Sequence, residues 1–101
     1  MASYILMTQL EVREEHAVEF NRLYNDEHVP SLLSVEGVLS GQRYELQRKA
    51  EDQLRYLAIY ELERPGIPDS DEWHKAANTP AWSAMRNNIT VRRRRGVFRK
   101  I

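Results

Sequence analysis

Hydrophobic and polar positions change period several times along this 101-residue chain, and the changes divide it into β-α-β-β-α-β. From Tyr4 to Val12 the period is two, as a strand requires. Tyr4, Leu6, Thr8, Leu10 and Val12 share one side, and Ile5, Met7, Gln9 and Glu11 share the other. Both sides begin apolar, which predicts a strand covered on both faces over its first half. From Glu14 the period becomes helical. At about 100° per residue, Ala17, Phe20, Tyr24 and His28 fall within one stripe roughly 80° wide. Glu14 and Glu15 occupy the first turn, where carboxylates favour the helix dipole. Pro30 disfavours helical geometry at Val29, so the helix is expected to end near His28. A short turn over 31–35 then buries Leu32 and Leu33.

Alternation resumes over 38–46, with Gly37 predicting a turn into the strand and Gly41 a bulge or close contact within it. A polar turn, Lys49 to Gln53, leads to a third strand, Leu54 to Glu63, and the pair reads as a hairpin. After the loop Pro65-Gly66-Ile67-Pro68, either Asp69 or Ser70 can cap a helix whose apolar face is Trp73, Ala76 and Ala77. Thr79-Pro80 reads as a second cap with proline at the first helical position, opening a short helix with Trp82 and Met85. Ile89 to Ile101 reads as a final, arginine-rich strand. This order predicts an α+β, ferredoxin-like βαββαβ fold. It is a single domain over residues 1–101, a four-stranded antiparallel sheet with both helices on one face. The other face is also apolar and must be covered by a partner, a ligand or nucleic acid; function is expected there.

Composition narrows the choices. The 42% hydrophobic content suits one modest core, and the absence of cysteine excludes a disulfide framework, a thiolate nucleophile and a zinc ribbon. Met1-Ala2-Ser3-Tyr4 has no basic region and no long apolar run, so no signal peptide or membrane span is expected, and the address is cytoplasmic by default. Fifteen basic and fifteen acidic residues cancel, but unevenly: residues 1–72 hold all fifteen acids against seven bases, a net −8, and the remainder carries +8. A basic tail raises nucleic acid as a partner. RNA-recognition sheets stack bases on strand aromatics, yet Arg55-Tyr56-Leu57-Ala58-Ile59-Tyr60 lacks the first glycine of their pattern, and Glu61 and Glu63 would repel phosphate. Self-association face to face is favoured over RNA. Along a strand, Arg92 to Arg95 alternate two in and two out, and the charge segregation suits pairing within or between protomers. Such a dimer also leaves a pocket in each protomer between sheet and helices.

Tyr24-Asn25-Asp26-Glu27-His28-Val29-Pro30, followed by Leu32-Leu33, Gly37-Val38 and Arg43-Tyr44, resembles the signature of the dimeric α/β-barrel superfamily, particularly its EthD-like members. Tyr60-Glu61-Leu62 and Thr79-Pro80-Ala81-Trp82 fit the same proteins, while Glu36 stands where relatives often have proline. The resemblance covers most of the chain. It implies a homodimer and one of several activities: lactone isomerase, cofactor-free monooxygenase, small decarboxylase or dehydratase of polyketide tailoring, or haem-binding enzyme. One scaffold hosting so many reactions does not name one.

His28 is the best candidate for chemistry, because histidine alone titrates near neutrality unaided. A helix C-terminus would favour its charged form and burial its neutral form, which leaves the net sign open; a purely structural role at the helix end is the competing reading. Tyr24, Tyr44 and Tyr60 can orient a substrate oxygen, and Arg43 can bind a carboxylate. Gln9 is a polar group on an otherwise largely apolar strand and a weaker pocket candidate. Trp73 and Trp82 pack the second helical region on the sheet and can wall the pocket. No metal site is expected, since His16, His28 and His74 lack the spacing of helical ligand pairs. No cofactor is required, although His28 or His74 could serve a haem. The chain thus reads as a homodimer binding a small aromatic or polyketide-like molecule. As an enzyme it would perform cofactor-free isomerisation, decarboxylation or water elimination, with His28 transferring the proton. A non-catalytic ligand-binding or dimerisation module is the alternative.

Overall fold

The structure, a computed structural model, describes residues 3–48 and 51–101. Four strands, β1 (Tyr4–Val12), β2 (Val38–Glu45), β3 (Tyr56–Leu62) and β4 (Thr90–Arg99), form one sheet in the order β2-β3-β1-β4. Every neighbouring pair is antiparallel. Helix α1 (Ala17–Leu23) follows a 3₁₀ turn at Glu14–His16 and runs through one π-helical turn, Tyr24–His28, into α2 (Val29–Leu33). A second 3₁₀ turn, Ile67–Asp69, precedes α3 (Asp71–Ala77) and α4 (Pro80–Ile89). This is the ferredoxin-like arrangement that the alternation predicts.

One core lies between the sheet and the helices. Leu6, Leu10 and Val12 of β1 and Tyr56, Ala58, Tyr60 and Leu62 of β3 pack with Phe20, Leu23, Tyr24, Leu32, Trp73 and Trp82. Gly37 turns into β2 at φ +92°, where a side chain would be strained and a Cβ would strike Ile67. The opposite face presents Ile5, Met7, Leu57 and Ile59, half-buried, with Tyr44 and Phe98 about half exposed (49% and 51%).

Several local expectations change. Helical geometry does not stop at His28: Val29 keeps φ −61°, ψ −48° despite the following proline. The wide π turn breaks the regular hydrogen-bond ladder there, and Pro30, at the start of α2, removes an N–H that a new helix start leaves unpaired. Leu32 is buried but Leu33 is exposed. Ser70, not Asp69, caps α3, its hydroxyl accepting from the Trp73 N–H at 3.1 Å. Thr79 precedes Pro80 as expected, but its hydroxyl donates to Glu27 Oε1 (2.5 Å) rather than capping its own helix. Ile89 ends α4 instead of opening the last strand. Of the expected polar turn, Lys49 and Ala50 lie outside the described residues, as do Met1 and Ala2 at the start.

Pairing of the acidic body with the basic end within one chain is also overturned among the described residues. The five ion pairs, His16–Glu15, Arg22–Glu19, Arg55–Glu14, Arg55–Glu45 and Arg64–Glu63, all lie within the acidic segment. Topology explains this. β4 is an edge strand whose only neighbour is β1, and β1 offers one acid, Glu11, opposite Arg92. That carboxylate accepts instead from the Arg55 backbone N–H at 3.1 Å.

Candidate functional site

The π-helical turn sets the site. Tyr24 and His28 fall at its two ends, and both are buried, at 2% and 7% exposure. The His28 ring stacks on Trp82, with centroids 4.0 Å apart and planes 17° from parallel. Tyr24 meets both edge-on, 5.0 Å from His28 and 4.7 Å from Trp82. Trp82 arrives in the first turn of α4, which Thr79 and Pro80 start at this place. From β3, Tyr60 enters edge-on to Trp73 at 5.7 Å. Gly41 on β2 makes that approach possible, because a Cβ there would lie 3.0 Å from the Tyr60 ring. The close contact predicted at Gly41 is this one.

These residues enclose a small cavity of about 40 Å³, between the helices and the sheet rather than on the open face. Its walls also include Thr8, Arg86, Arg93 and Arg95. Trp73, Ala77 and the three arginines also wall an outer vestibule of about 320 Å³ that includes His74. Three buried polar atoms of the inner cavity's wall residues have no hydrogen-bond partner among the described residues: His28 Nδ1, the Tyr60 hydroxyl and Trp82 Nε1. The Tyr24 and Tyr60 hydroxyls approach each other, but the contact leaves Tyr60 without a well-aligned partner. Buried orphans are few in folded proteins, and they mark positions that water or a ligand satisfies.

Electrostatics fix the state of these groups. Burial, followed by the positive charges of Arg86, Arg93 and Arg43, lowers His28 to a pKa of about 3. The opposing helix-end effect is weak because the helical path continues past His28. His28 is therefore a neutral imidazole throughout the physiological range. Burial likewise raises Tyr24 and Tyr60, which stay protonated. The arrangement can accept a proton or hydrogen bond at His28 and donate one from Tyr60, in a site walled by indoles.

His28, Tyr24, Tyr60, Trp73 and Trp82 thus come together. The other three candidates do not join them. The Arg43 guanidinium lies 4.0 Å over the Tyr24 ring and donates to Asn25 (2.9 Å) and Asn21 (2.8 Å), in a separate groove. It supports Tyr24 from outside the cavity. Tyr44, whose hydroxyl donates to Gln42 at 2.8 Å, and Gln9, whose amide donates to Gln53 at 3.1 Å, line a groove at the open face. Thr8, Arg86, Arg93 and Arg95 are the cavity residues that pattern reading missed. For the two strand arginines a signal existed. Arg93 stands opposite Leu10 and Arg95 opposite Thr8, so both share the inward side of β1. Among the described residues, no three His, Asp or Glu side chains are grouped to hold a metal ion, and no helix is long and apolar enough to cross a membrane.

No protein-family model matches the chain, and no curated protein matches it in sequence. Solved structures share its architecture. A dimeric ferredoxin-like protein from an uncultured marine organism has TM-score 0.72 at 12% identity, covering 100% of this chain and 90% of its own. An EthD family protein from Bacillus halodurans has TM-score 0.70 at 10% identity, covering 98% and 99%. The haem degrader MhuD from Mycobacterium tuberculosis, with two haems in its active site, has TM-score 0.57 at 20% identity, covering 97% and 95%. The fold is that of the dimeric α/β-barrel, ferredoxin-like superfamily. MhuD's cofactor does not fit the inner cavity here. Trp82 covers one face of the His28 ring, and a space of about 40 Å³ cannot take a porphyrin.

Proposed function

We propose that this protein is a cytoplasmic homodimer that binds a small aromatic or polyketide-like molecule and performs acid–base chemistry on it without a cofactor. His28 accepts the proton, and the Tyr60 hydroxyl, with Tyr24 beside it, donates to the developing oxyanion. An isomerisation, decarboxylation or water elimination would use these same groups. The observation that carries the reading is the pair of unpartnered polar atoms, His28 Nδ1 and the Tyr60 hydroxyl, on the walls of one aromatic-lined cavity. A donor and an acceptor flanking one small space are what enolisation needs. The apolar open face supports the dimer, since a second copy covers Phe98, Tyr44 and their half-buried neighbours. Arg92 and Arg94 stand on that side, beside Glu11 and Gln9.

The test uses 1-tetralone, a neutral aromatic ketone, and follows deuterium exchange of its α-protons by NMR. Exchange should fall at least a hundredfold in His28→Gln and about tenfold in Tyr60→Phe, with folding and dimerisation unchanged. Exchange unchanged in His28→Gln removes proton transfer from that residue. The low basicity of His28 favours one alternative, a ligand-binding module without turnover. Saturable tetralone binding without exchange selects it.

A further inference from the structure

Arg86, Arg93 and Arg95 come from two elements, α4 and β4, and converge on the walls of both the inner cavity and the vestibule. Among the described residues none of them has a carboxylate partner; Arg86 donates to the Asn78 side-chain carbonyl at 3.0 Å. Arg93 titrates below the ordinary arginine value, first through partial burial and then through the like charges of Arg95 and Arg86. Three cations gathered without a counter-ion repel one another, and the fold does nothing to separate them. Nor would acids of a second copy reach them through the open face, because Arg93 and Arg95 lie on the helix side of β4.

We infer that the ligand carries an anionic group, a carboxylate or an enolate, held by Arg86, Arg93 and Arg95 at the junction of vestibule and cavity, with its apolar body between Trp73, Trp82 and Tyr60. This rests on the small-molecule reading above and adds the charge of the ligand. It also moves the carboxylate-binding role expected of Arg43 to the other side of Tyr24. Guanidinium groups suit the task, since their planar forks match carboxylate oxygens.

Binding of an anion has a consequence for His28. The charged groups facing the imidazole are Arg86 from α4, Arg93 from β4 and, across Tyr24, Arg43 from β2. Tyr60 faces it from β3, His74 stands farther out on the vestibule wall, and the nearby Glu27 carboxylate is engaged by Thr79. Neutralising two of the three cations removes much of the repulsion against an imidazolium, leaving burial as the main opposing effect. The base therefore becomes competent when the anionic ligand is in place, and stays inert when it is not.

Benzoate and benzamide, planar and nearly isosteric, separate the charge from the shape. Each is titrated into the dimer while the Trp82 indole N–H and the His28 imidazole are followed by NMR. Benzoate should bind saturably and at least tenfold more tightly than benzamide, and should raise the midpoint of the His28 titration by one pH unit or more. In Arg93→Gln/Arg95→Gln that preference should vanish; in Arg92→Gln/Arg94→Gln, on the open face, it should persist. Equal binding of the two probes, a preference that survives Arg93→Gln/Arg95→Gln, or no saturable change with either probe overturns the inference. Tetralone exchange is read separately, so a failed anion site with intact exchange, and an intact anion site without exchange, are distinct results.

Discussion

The two faces of the sheet are built from the same kinds of residue and treat their polar groups in opposite ways. On the open face the polar side chains satisfy one another: Gln9 with Gln53, Tyr44 with Gln42, and Ser40 with Glu61 at 2.6 Å. On the helix-covered face His28, Tyr60 and Trp82 are buried, and each keeps a polar atom unpartnered. The open face keeps large apolar groups in reach of water, with Phe98 and Tyr44 about half exposed, whereas Tyr60 and Trp82 on the covered face are each 1% exposed. A face with satisfied polar groups and unsatisfied apolar ones is built to meet another protein surface. A face with satisfied apolar groups and unsatisfied polar ones is built to meet a ligand.

Breaking the covered face should have the largest effect. Trp82→Ala removes the ring that touches His28, Tyr24 and Phe20, and should cost about 3–5 kcal/mol in urea unfolding. Breaking the open face should leave folding intact and separate the copies. In Phe98→Asp the dimer dissociation constant should rise at least a hundredfold, about 2.7 kcal/mol, by sedimentation, while the Trp82 and His28 resonances stay in place. Movement of those resonances would show that the faces are not independent.

Acid should sharpen the contrast, because only the covered face hides a histidine. His28 binds its proton more weakly folded than unfolded, so the unfolded chain takes up more protons between pH 6.5 and about 3. Stability is therefore lost as pH falls through that window, by about 1.4 kcal/mol per pH unit from this group. Urea midpoints at pH 7 and pH 5 should diverge less in His28→Gln by that amount. The smallest effect is expected at the rim of the vestibule. Ser70→Ala removes the cap of α3, which carries Trp73, and should cost about 1 kcal/mol without changing the dimer.

Much of this fold is legible in the chain. Period-two alternation finds all four strands, and Thr79-Pro80 places the start of α4. The stripe Ala17, Phe20, Tyr24, His28 turns inward as its spacing implies, all four being buried. Two things were hidden, for different reasons. The π turn leaves no mark in hydrophobic period, because one wide turn changes the phase only beyond itself; Pro30 then reads as a stop. The cavity arginines were hidden because alternation along β4 gives two sides but not their identity. That identity comes from register with β1, a long-range pairing that local pattern does not contain. Arg43 and Tyr44 show the converse. Their resemblance-based grouping with His28 was sequential, and the sheet edge separates them.

The π turn has a last consequence, for how this site can be gained or lost. A turn closed by i→i+5 bonds holds one residue more than an α-helical one. Removing a single exposed residue from Tyr24–His28, such as Asp26, would let the helix close regularly and would swing everything after it by about 100°. His28 would leave Trp82 while the strands kept their pairing. A one-codon deletion therefore stands between a barrel with a buried imidazole and a barrel without one, and insertion is the reverse step.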